Sequence, residues 1–202
     1  KSDDGSYSIG LRVSDGNGGT DTTSNTVNVD NRGPSVSLSK DKNNPLTDES
    51  VTFSASANDQ DGSISSYNWN IGGSGSTVSN SWGNDGSKDV RVTVYDDDGA
   101  SSSDSISVTV QNRDPSASIS NDGPVLTSQS VNLDSSGSSD QDGYISSYDY
   151  DFDNDGNYET TNEGSSTSYS WNSNGDKTVT VRVTDNDGSI DTSSTTVEVN
   201  NR

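Results

Sequence analysis

Six consecutive residues, Asp151-Phe-Asp153-Asn-Asp155-Gly156, place carboxylates at every second position and end on a glycine. Alternate carboxylates converge when the chain wraps around a point, and the glycine permits the bend that wrapping needs. Asp-x-Asp-x-Asp-Gly is the first half of an EF-hand-type calcium loop. The Glu expected at loop position 12 is missing, because Asn162 stands there, so either Glu159 or Glu163 replaces it or a shorter loop geometry applies. No helical period flanks the motif, which excludes an EF-hand domain but not such a loop. The expected ligands are Asp151, Asp153, Asp155 and Glu159. The competing reading is an acidic, solvated hairpin.

Further acidic turns share the Asp-x-Asp-Gly pattern: Asp59-Gln-Asp61-Gly62, Asp140-Gln-Asp142-Gly143, Asp96-Asp-Asp98-Gly99 and Asp185-Asn-Asp187-Gly188. Four or five carboxylates in one place repel unless they are screened, protonated or bridged. Calcium suits such a cluster, since it takes six to eight oxygens in irregular geometry. Equally, each Asp-Gly pair is ordinary turn chemistry, with Asp accepting local N–H groups and Gly at positive φ. Both readings stand at this point.

The elements that must position these turns recur. A hairpin signature begins at Gly5, Gly86 and Gly175; Gly5 to Gly86 is 81 positions and Gly86 to Gly175 is 89. Each copy alternates apolar and polar residues, as in Val90, Val92, Val94 and Val179, Val181, Val183, then turns on acidic residues and glycine into a second strand. That is strand periodicity. Upstream of the second hairpin, strands are expected around Val36 and Leu38, around Val51, Phe53 and Ala55, around Ile64, Tyr67, Trp69 and Ile71, and around Val78 and Trp82. The third hairpin has the same set, with Ala117, Ile119, Val131, Leu133, Tyr148, Tyr150, Phe152 and Trp171. Ile71 to Trp82 is 11 positions and Phe152 to Trp171 is 19, so the later repeat carries eight extra residues within 153–170.

About seven short strands per repeat, with evenly spaced turns, describe an immunoglobulin-like antiparallel β-sandwich. The chain is therefore expected to be all-β, in tandem: residues 1–33 as the closing hairpin of an incomplete domain, 34–114 as one domain and 115–202 as another with an acidic insertion. In that topology the loop joining the second and third strands shares a pole with the turn of the last hairpin. Asp59 and Asp61 should then face Asp96 and Asp98, and Asp140 and Asp142 should face Asp185 and Asp187. The linkers Asn31-Arg32 and Asn112-Arg113 start at the same pole. Arg32, Arg113 and Arg202 recur at the repeat exits and are expected to bond the acidic loops through charge-assisted contacts.

The net charge of −21 and the absence of a basic patch disfavour nucleic acid and anionic membranes as partners, and neither is expected. Hydrophobic residues make up only 23%, a composition that alone would suggest disorder, but the strict alternation argues for ordered sheet. Acidity of this degree is also tolerated in a saline medium, where screening shortens to about 3 Å at 1 M salt. Salt adaptation therefore competes with every cation site named above. With no Cys and no His, neither disulfides nor thiolate or imidazole chemistry is available. Paired carboxylates raise the question of glycoside hydrolysis, but Asp residues on protruding Gly/Ser-rich loops offer no concave site, and no catalysis is expected.

The runs Asp59-Gln-Asp-Gly-Ser-Ile-Ser-Ser-Tyr-Asn-Trp69 and Asp140-Gln-Asp-Gly-Tyr-Ile-Ser-Ser-Tyr-Asp-Tyr150 resemble the PKD (polycystic kidney disease) domain family, as do the strands ending at Gly99 and Gly188. The family usually continues its third strand with Asp-Phe-Gly-Asp-Gly; here Asn70-Ile-Gly-Gly stands in one repeat and Asp151-Phe-Asp-Asn-Asp-Gly in the other. The resemblance implies calcium at the pole, held by Asn31, Asp59, Asp61 and Asp96, and by Asn112, Asp140, Asp142 and Asp185. It also implies a cell-surface or extracellular repeat array from a salt-adapted prokaryote: a stalk, adhesin, surface layer or filament, with neighbouring domains and other copies as partners. The alternative is an accessory module of a secreted hydrolase. Residues 1–33 hold only a hairpin, so a longer chain, or strands from a neighbouring molecule, are expected to complete it. Tyr144 and Tyr158 are the loop aromatics best placed for contact, whereas the strand aromatics are expected to pack in cores.

Overall fold

A computed structural model describes residues 4–202; residues 1–3 of the expected first segment lie outside the described residues. The described chain is built from strands and turns, the architecture that the alternating Val, Ile and Tyr positions dictate. By contact it divides into two compact units. Unit 1 takes the described residues up to Trp82 together with Ser87–Val110, and unit 2 takes Gly83–Gly86 together with Gln111–Arg202.

Unit 1 opens with a hairpin of β1 (Gly5–Ser14) and β2 (Thr20–Val29), in unbroken register from Gly5 opposite Val29 to Ser14 opposite Thr20. Tyr7, Ile9, Leu11, Val13, Val27 and Val29 are all exposed. Then come β3 (Ser35–Lys40), β4 (Val51–Asn58), β5 (Ile64–Trp69), β6 (Thr77–Asn80), β7 (Gly86–Asp96) and β8 (Ser101–Val110). They form two sheets, β3-β4-β6 and β5-β7-β8. The inward positions of both sheets meet in one core of Val51, Phe53, Ala55, Trp69, Val78, Val90, Val92, Val94, Val108 and Val110. The first expected strand and the second pair antiparallel, Ser35 opposite Asn58. Ile71 and Trp82 fall just beyond strand ends but still pack against this core.

Unit 2 contains β9 (Ser120–Asn121), β10 (Val125–Leu126), β11 (Val131–Asp134), β12 (Ile145–Asp151), β13 (Thr160–Glu163), β14 (Ser166–Tyr169), β15 (Gly175–Asp185) and β16 (Ile190–Asn200). One sheet has the order β14-β11-β9 and the other β10-β16-β15-β12-β13. The core repeats the pattern of unit 1 with Val125, Val131, Leu133, Tyr150, Phe152, Trp171, Val179, Val181, Val183, Val197 and Val199. Two features depart from the first repeat. The insertion supplies β13, an edge strand paired with β12 at Tyr148–Glu163 and Tyr150–Thr160. The short β10 runs parallel to β16, with Val125 opposite Val199.

Candidate metal centres

The insertion loop leaves β12 at Asp151, whose carboxylate is buried beneath the turn. Its Oδ1 accepts the Asn154 N–H at 2.6 Å and its Oδ2 the Gly156 N–H at 2.9 Å. Those two bonds wrap the chain, and the positive φ of Gly156 (91°) and Asn154 (58°) permits the wrap. Asp153 and Asp155 follow as Asx turns, accepting from the N–H groups of Asp155 and Asn157. Glu159 returns to the start of the loop, its Oε2 accepting the Phe152 N–H at 2.6 Å. As a result one carboxylate oxygen each from Asp151, Asp153, Asp155 and Glu159 lies within 4.8 Å of the others. The carboxyl of Asp153 is raised above its ordinary range by desolvation and then by the charges of Asp155 and Glu159. Of the two glutamates open to this role, Glu159 joins the cluster. Glu163 is on β13, opposite Tyr148.

Aromatic packing anchors the loop. Phe152 stacks on Tyr169 with ring centroids 4.1 Å apart, and Tyr169 meets Trp171 edge-on at 5.1 Å. The Trp171 indole N–H donates to the Phe152 carbonyl. Tyr158, expected to be available for contact, is instead capped by the Arg182 guanidinium 4.2 Å from its ring centroid. Arg182 also pairs with the buried Asp149 at 2.7 Å. Tyr144 stays exposed. Burial of Trp69, Tyr150 and Trp171 commits those rings to the cores and leaves no stacking platform for a sugar on them.

The polar caps assemble as the topology requires. In unit 1, Asp61 is nine-tenths buried; its Oδ2 accepts the Arg32 backbone N–H at 3.0 Å and its Oδ1 has no hydrogen-bond partner. Asp59 lies beside it, with a buried Oδ2 that also lacks a partner. Burial, followed by the charges of Asp61 and Asp96, pushes the Asp59 carboxyl up, and the Asp61 N–H opposes this only in part. Asp96 serves the turn: its Oδ1 accepts the N–H groups of Asp98 and Ala100, while its Oδ2 accepts from the Asn31 amide at 3.1 Å. Unit 2 repeats these contacts residue for residue. Arg113 N–H reaches Asp142 Oδ2, Asn112 donates to Asp185 Oδ2, and Asp185 Oδ1 holds the N–H groups of Asp187 and Ser189. Asp140 is raised by the same causes as Asp59, and its Oδ2 is again unpartnered.

The fit at the caps is tight on one side. A Cβ at Gly62 would stand 2.4 Å from Asp97 Oδ1 and 2.6 Å from Asp59 Oδ2, so any side chain there would push a carboxylate aside. Turn chemistry therefore accounts for Asp96 and Asp185, whose oxygens are occupied by N–H groups. It does not account for the bare oxygens of Asp59, Asp61 and Asp140. Among the described residues the insertion loop alone brings three or more carboxylates within 4.8 Å; the cap oxygens are spaced more widely. Arg32 behaves differently from expectation: it meets Asp61 through its backbone, and its guanidinium bonds the neutral Gln60 at 2.9 Å.

The model of the PKD domain matches residues 31–110 and again 112–199. The chain belongs to the PKD family. PKD domains are in general non-catalytic structural or binding modules, and the all-β, immunoglobulin-like architecture of both units is that of the family. Among solved structures, the chain is similar to the PKD1 domain of the Vibrio cholerae metalloprotease PrtV, with 33% identity over 44% of this chain and 99% of that one and a TM-score of 0.37. It is similar to the PKD1 domain of Vibrio anguillarum Epp, with 29% identity over 46% of this chain and 100% of that one and a TM-score of 0.38. A structure described as a carbohydrate-binding module of the β-sandwich superfamily is 29% identical over 45% of this chain, which spans 36% of that chain, with a TM-score of 0.42. No curated protein matches.

Two residues beside the insertion loop escape motif reading. Arg182 meets Asp149 and the Tyr158 ring only through the tertiary fold, and Asp149 reads as an outward strand position until β13 covers it. The signal available for them was a difference between the repeats: Asn68 and Thr93 stand where unit 2 has Asp149 and Arg182, each pair directly opposite in register.

Proposed function

We propose that this is a non-catalytic structural segment of an extracellular or cell-surface repeat array, such as a stalk, adhesin, surface layer or filament, rigidified by calcium. The observation that carries the reading is the convergence of Asp151, Asp153, Asp155 and Glu159 within 4.8 Å on a loop pinned by aromatic stacking. Calcium is the cation that fits, because the donors are all oxygens and the backbone carbonyls of a wrapped loop complete an irregular shell. The bare buried oxygens of Asp59, Asp61 and Asp140 support further calcium at the caps, together with Asn31, Asp96, Asp98, Asn112, Asp142, Asp185 and Asp187. In this reading β1–β2 is the closing hairpin of another PKD repeat, since its exposed Ile9, Leu11, Val13, Val27 and Val29 correspond to Val90, Val92, Val94, Val108 and Val110 of a finished core.

Thermal unfolding with calcium or with chelator, in low and in high NaCl, tests the reading. Calcium at about 100-fold over its dissociation constant should add roughly 2.7 kcal/mol per site. Asp153→Asn combined with Asp155→Asn should remove the share belonging to the insertion loop. A midpoint indifferent to chelator at both salt concentrations would return the acidity to salt adaptation.

A further inference from the structure

Unit 1 leaves open a sheet edge that unit 2 closes with its own chain. In unit 2, β12 pairs with β15 on one side and takes β13 on the other, with Tyr148 opposite Glu163 and Tyr150 opposite Thr160. Its counterpart β5 has no such strand: among the described residues it pairs with β7 alone. The Asn70 N–H donates to the Arg91 carbonyl. Alternation along the antiparallel ladder therefore turns the backbones of Asn68 and Ser66 toward β7 and that of Tyr67 toward the open side. Tyr67 to Tyr148 is 81 positions, so the open residue of β5 corresponds to one that β13 meets in unit 2.

Open edges are ordinarily guarded by charge, by proline or by a covering segment. Strand β5 reads Ile64-Ser-Ser-Tyr-Asn-Trp69 and has neither charge nor proline, in a chain with 32 acidic residues. The other edges of this sandwich differ. Strand β8 carries Asp104, and its Thr109 N–H is already bonded to the Asn43 carbonyl. Strand β3 carries Lys40. Strand β6 is uncharged, but its counterpart β14 takes no further strand in unit 2.

We propose that β5 is an assembly edge whose occupant is β5 of a second copy of this chain, run antiparallel across a two-fold axis. Such a contact is self-complementary. Centred on Tyr67, it sets the two Tyr67 residues opposite each other on the inner face and each Asn68 opposite the other copy's Ser66 on the outer face. Aromatic pairs and hydrogen-bonding polar pairs are both favourable across strands, and an identical uncharged strand brings no like charge to the seam. The sheet β5-β7-β8 then continues into its copy as one sheet. Each copy carries a net charge of −21, so the seam closes against long-range repulsion and tightens as salt screens it. In unit 2 the equivalent edge is already taken by β13, so unit 1 alone supplies the seam. The contact uses none of the carboxylates of the calcium reading and stands apart from it.

Sedimentation equilibrium of the whole 202-residue chain, in chelator and across a series of NaCl concentrations, tests this. The chain should be a mixture of monomer and dimer, with a dimer fraction that rises with protein and with salt. Ser66→Lys combined with Asn68→Lys sets lysine against lysine on both sides of the axis and should raise the dissociation constant by about tenfold. Ser66→Asp combined with Asn68→Asp should do the same. Mixing the two variant chains should restore association to at least the level of the unmodified chain, because each lysine then meets an aspartate. Ser66 and Asn68 are both exposed, so each variant should keep the circular dichroism of the unmodified chain, and recovery on mixing separates a lost contact from a lost fold. A chain that stays monomeric at every salt concentration overturns the proposal. So does a dimer that both variants leave intact, since the copies then meet elsewhere, and so does a loss of association that mixing fails to restore.

Discussion

The segment after the third strand of the sandwich differs sharply between the two units. In unit 1, β5 passes to β6 through a glycine-rich loop with Gly72, Gly73 and Gly75 at positive φ. Its order comes from the backbone: Asn70 bridges the Arg91 N–H and the Asp89 carbonyl, and the Trp69 indole donates to the Gly75 carbonyl. In unit 2 the same segment holds the carboxylate cluster, the extra strand β13 and a stack of Phe152 on Tyr169. One cross-strand pair shows what this arrangement demands. Asn68 opposite Thr93 is neutral, whereas Asp149 opposite Arg182 is an ion pair, and Asp149 Oδ1 also accepts the Asn162 N–H. A loop that gathers negative charge is thus held by an arginine that both pairs with a buried carboxylate and covers Tyr158, next to Glu159. The same sandwich carries either version because the strands beneath are unchanged.

The two units should differ most at Phe152. Phe152→Ala should cost unit 2 about 3–5 kcal/mol, since it opens the core and removes the stack on which the loop sits. Ile71→Ala, at the corresponding place in unit 1, should cost less because Ile71 only flanks its core. Urea unfolding followed by near-ultraviolet circular dichroism would compare them; equal losses would mean the aromatic stack adds nothing.

Arg182→Thr, which imports the residue found at Thr93, should cost about 2 kcal/mol by stranding the buried Asp149 and uncovering Tyr158. Adding Asp149→Asn should restore stability to within about 1 kcal/mol, as the neutral pair does in unit 1. A double variant no better than the single would show that Arg182 acts through Tyr158 rather than through charge. Chemical denaturation of all three chains checks this.

The smallest effect is that of pH in chelator and low salt. Asp59, Asp98, Asp140, Asp153 and Asp187 have carboxyls raised mainly by desolvation, so folding favours their protonated forms. Stability should therefore rise as pH falls from neutral through these raised values toward the ordinary 3.8. Asp122 and Asp134 are lowered by hydrogen bonds from Asn132 and Ser136, and their contribution, present above the ordinary value, is lost as pH falls further. Saturating calcium should flatten the rise by holding the cap and loop carboxylates charged. Melting curves across the pH series give both limbs.

Much of this was readable from residues. Alternation at Val90, Val92 and Val94 fixes which face of β7 is inward, and the sandwich topology then brings Asp59 and Asp61 to Asp96 without further information. The convergence of Asp151, Asp153 and Asp155 follows from their spacing, because local wrapping needs only the glycine and the intervening N–H groups. What escaped was tertiary. Thr160–Glu163 has no apolar alternation and reads as loop, yet it becomes a strand because β12 presents a free edge to it. Arg182 reads as a solvent-facing strand residue until that edge is covered. The turn role of Asp96 and the bare oxygen of Asp61 look alike in sequence, both being Asp in Asp-x-Asp-Gly, and only the count of N–H donors around each separates them.

The parallel pairing of β10 with β16 bears on tension. Val125 faces Val199, Leu126 faces Asn200, and the Thr127 N–H donates to the Asn200 carbonyl, near the beginning and the very end of unit 2. A pull drawing those ends apart runs along both strands, so their hydrogen bonds are strained together in shear. Antiparallel ends would peel, breaking one bond at a time. A few residues of parallel strand thus resist such a pull together, whereas the antiparallel pairing of β9 with β11 just upstream would open bond by bond.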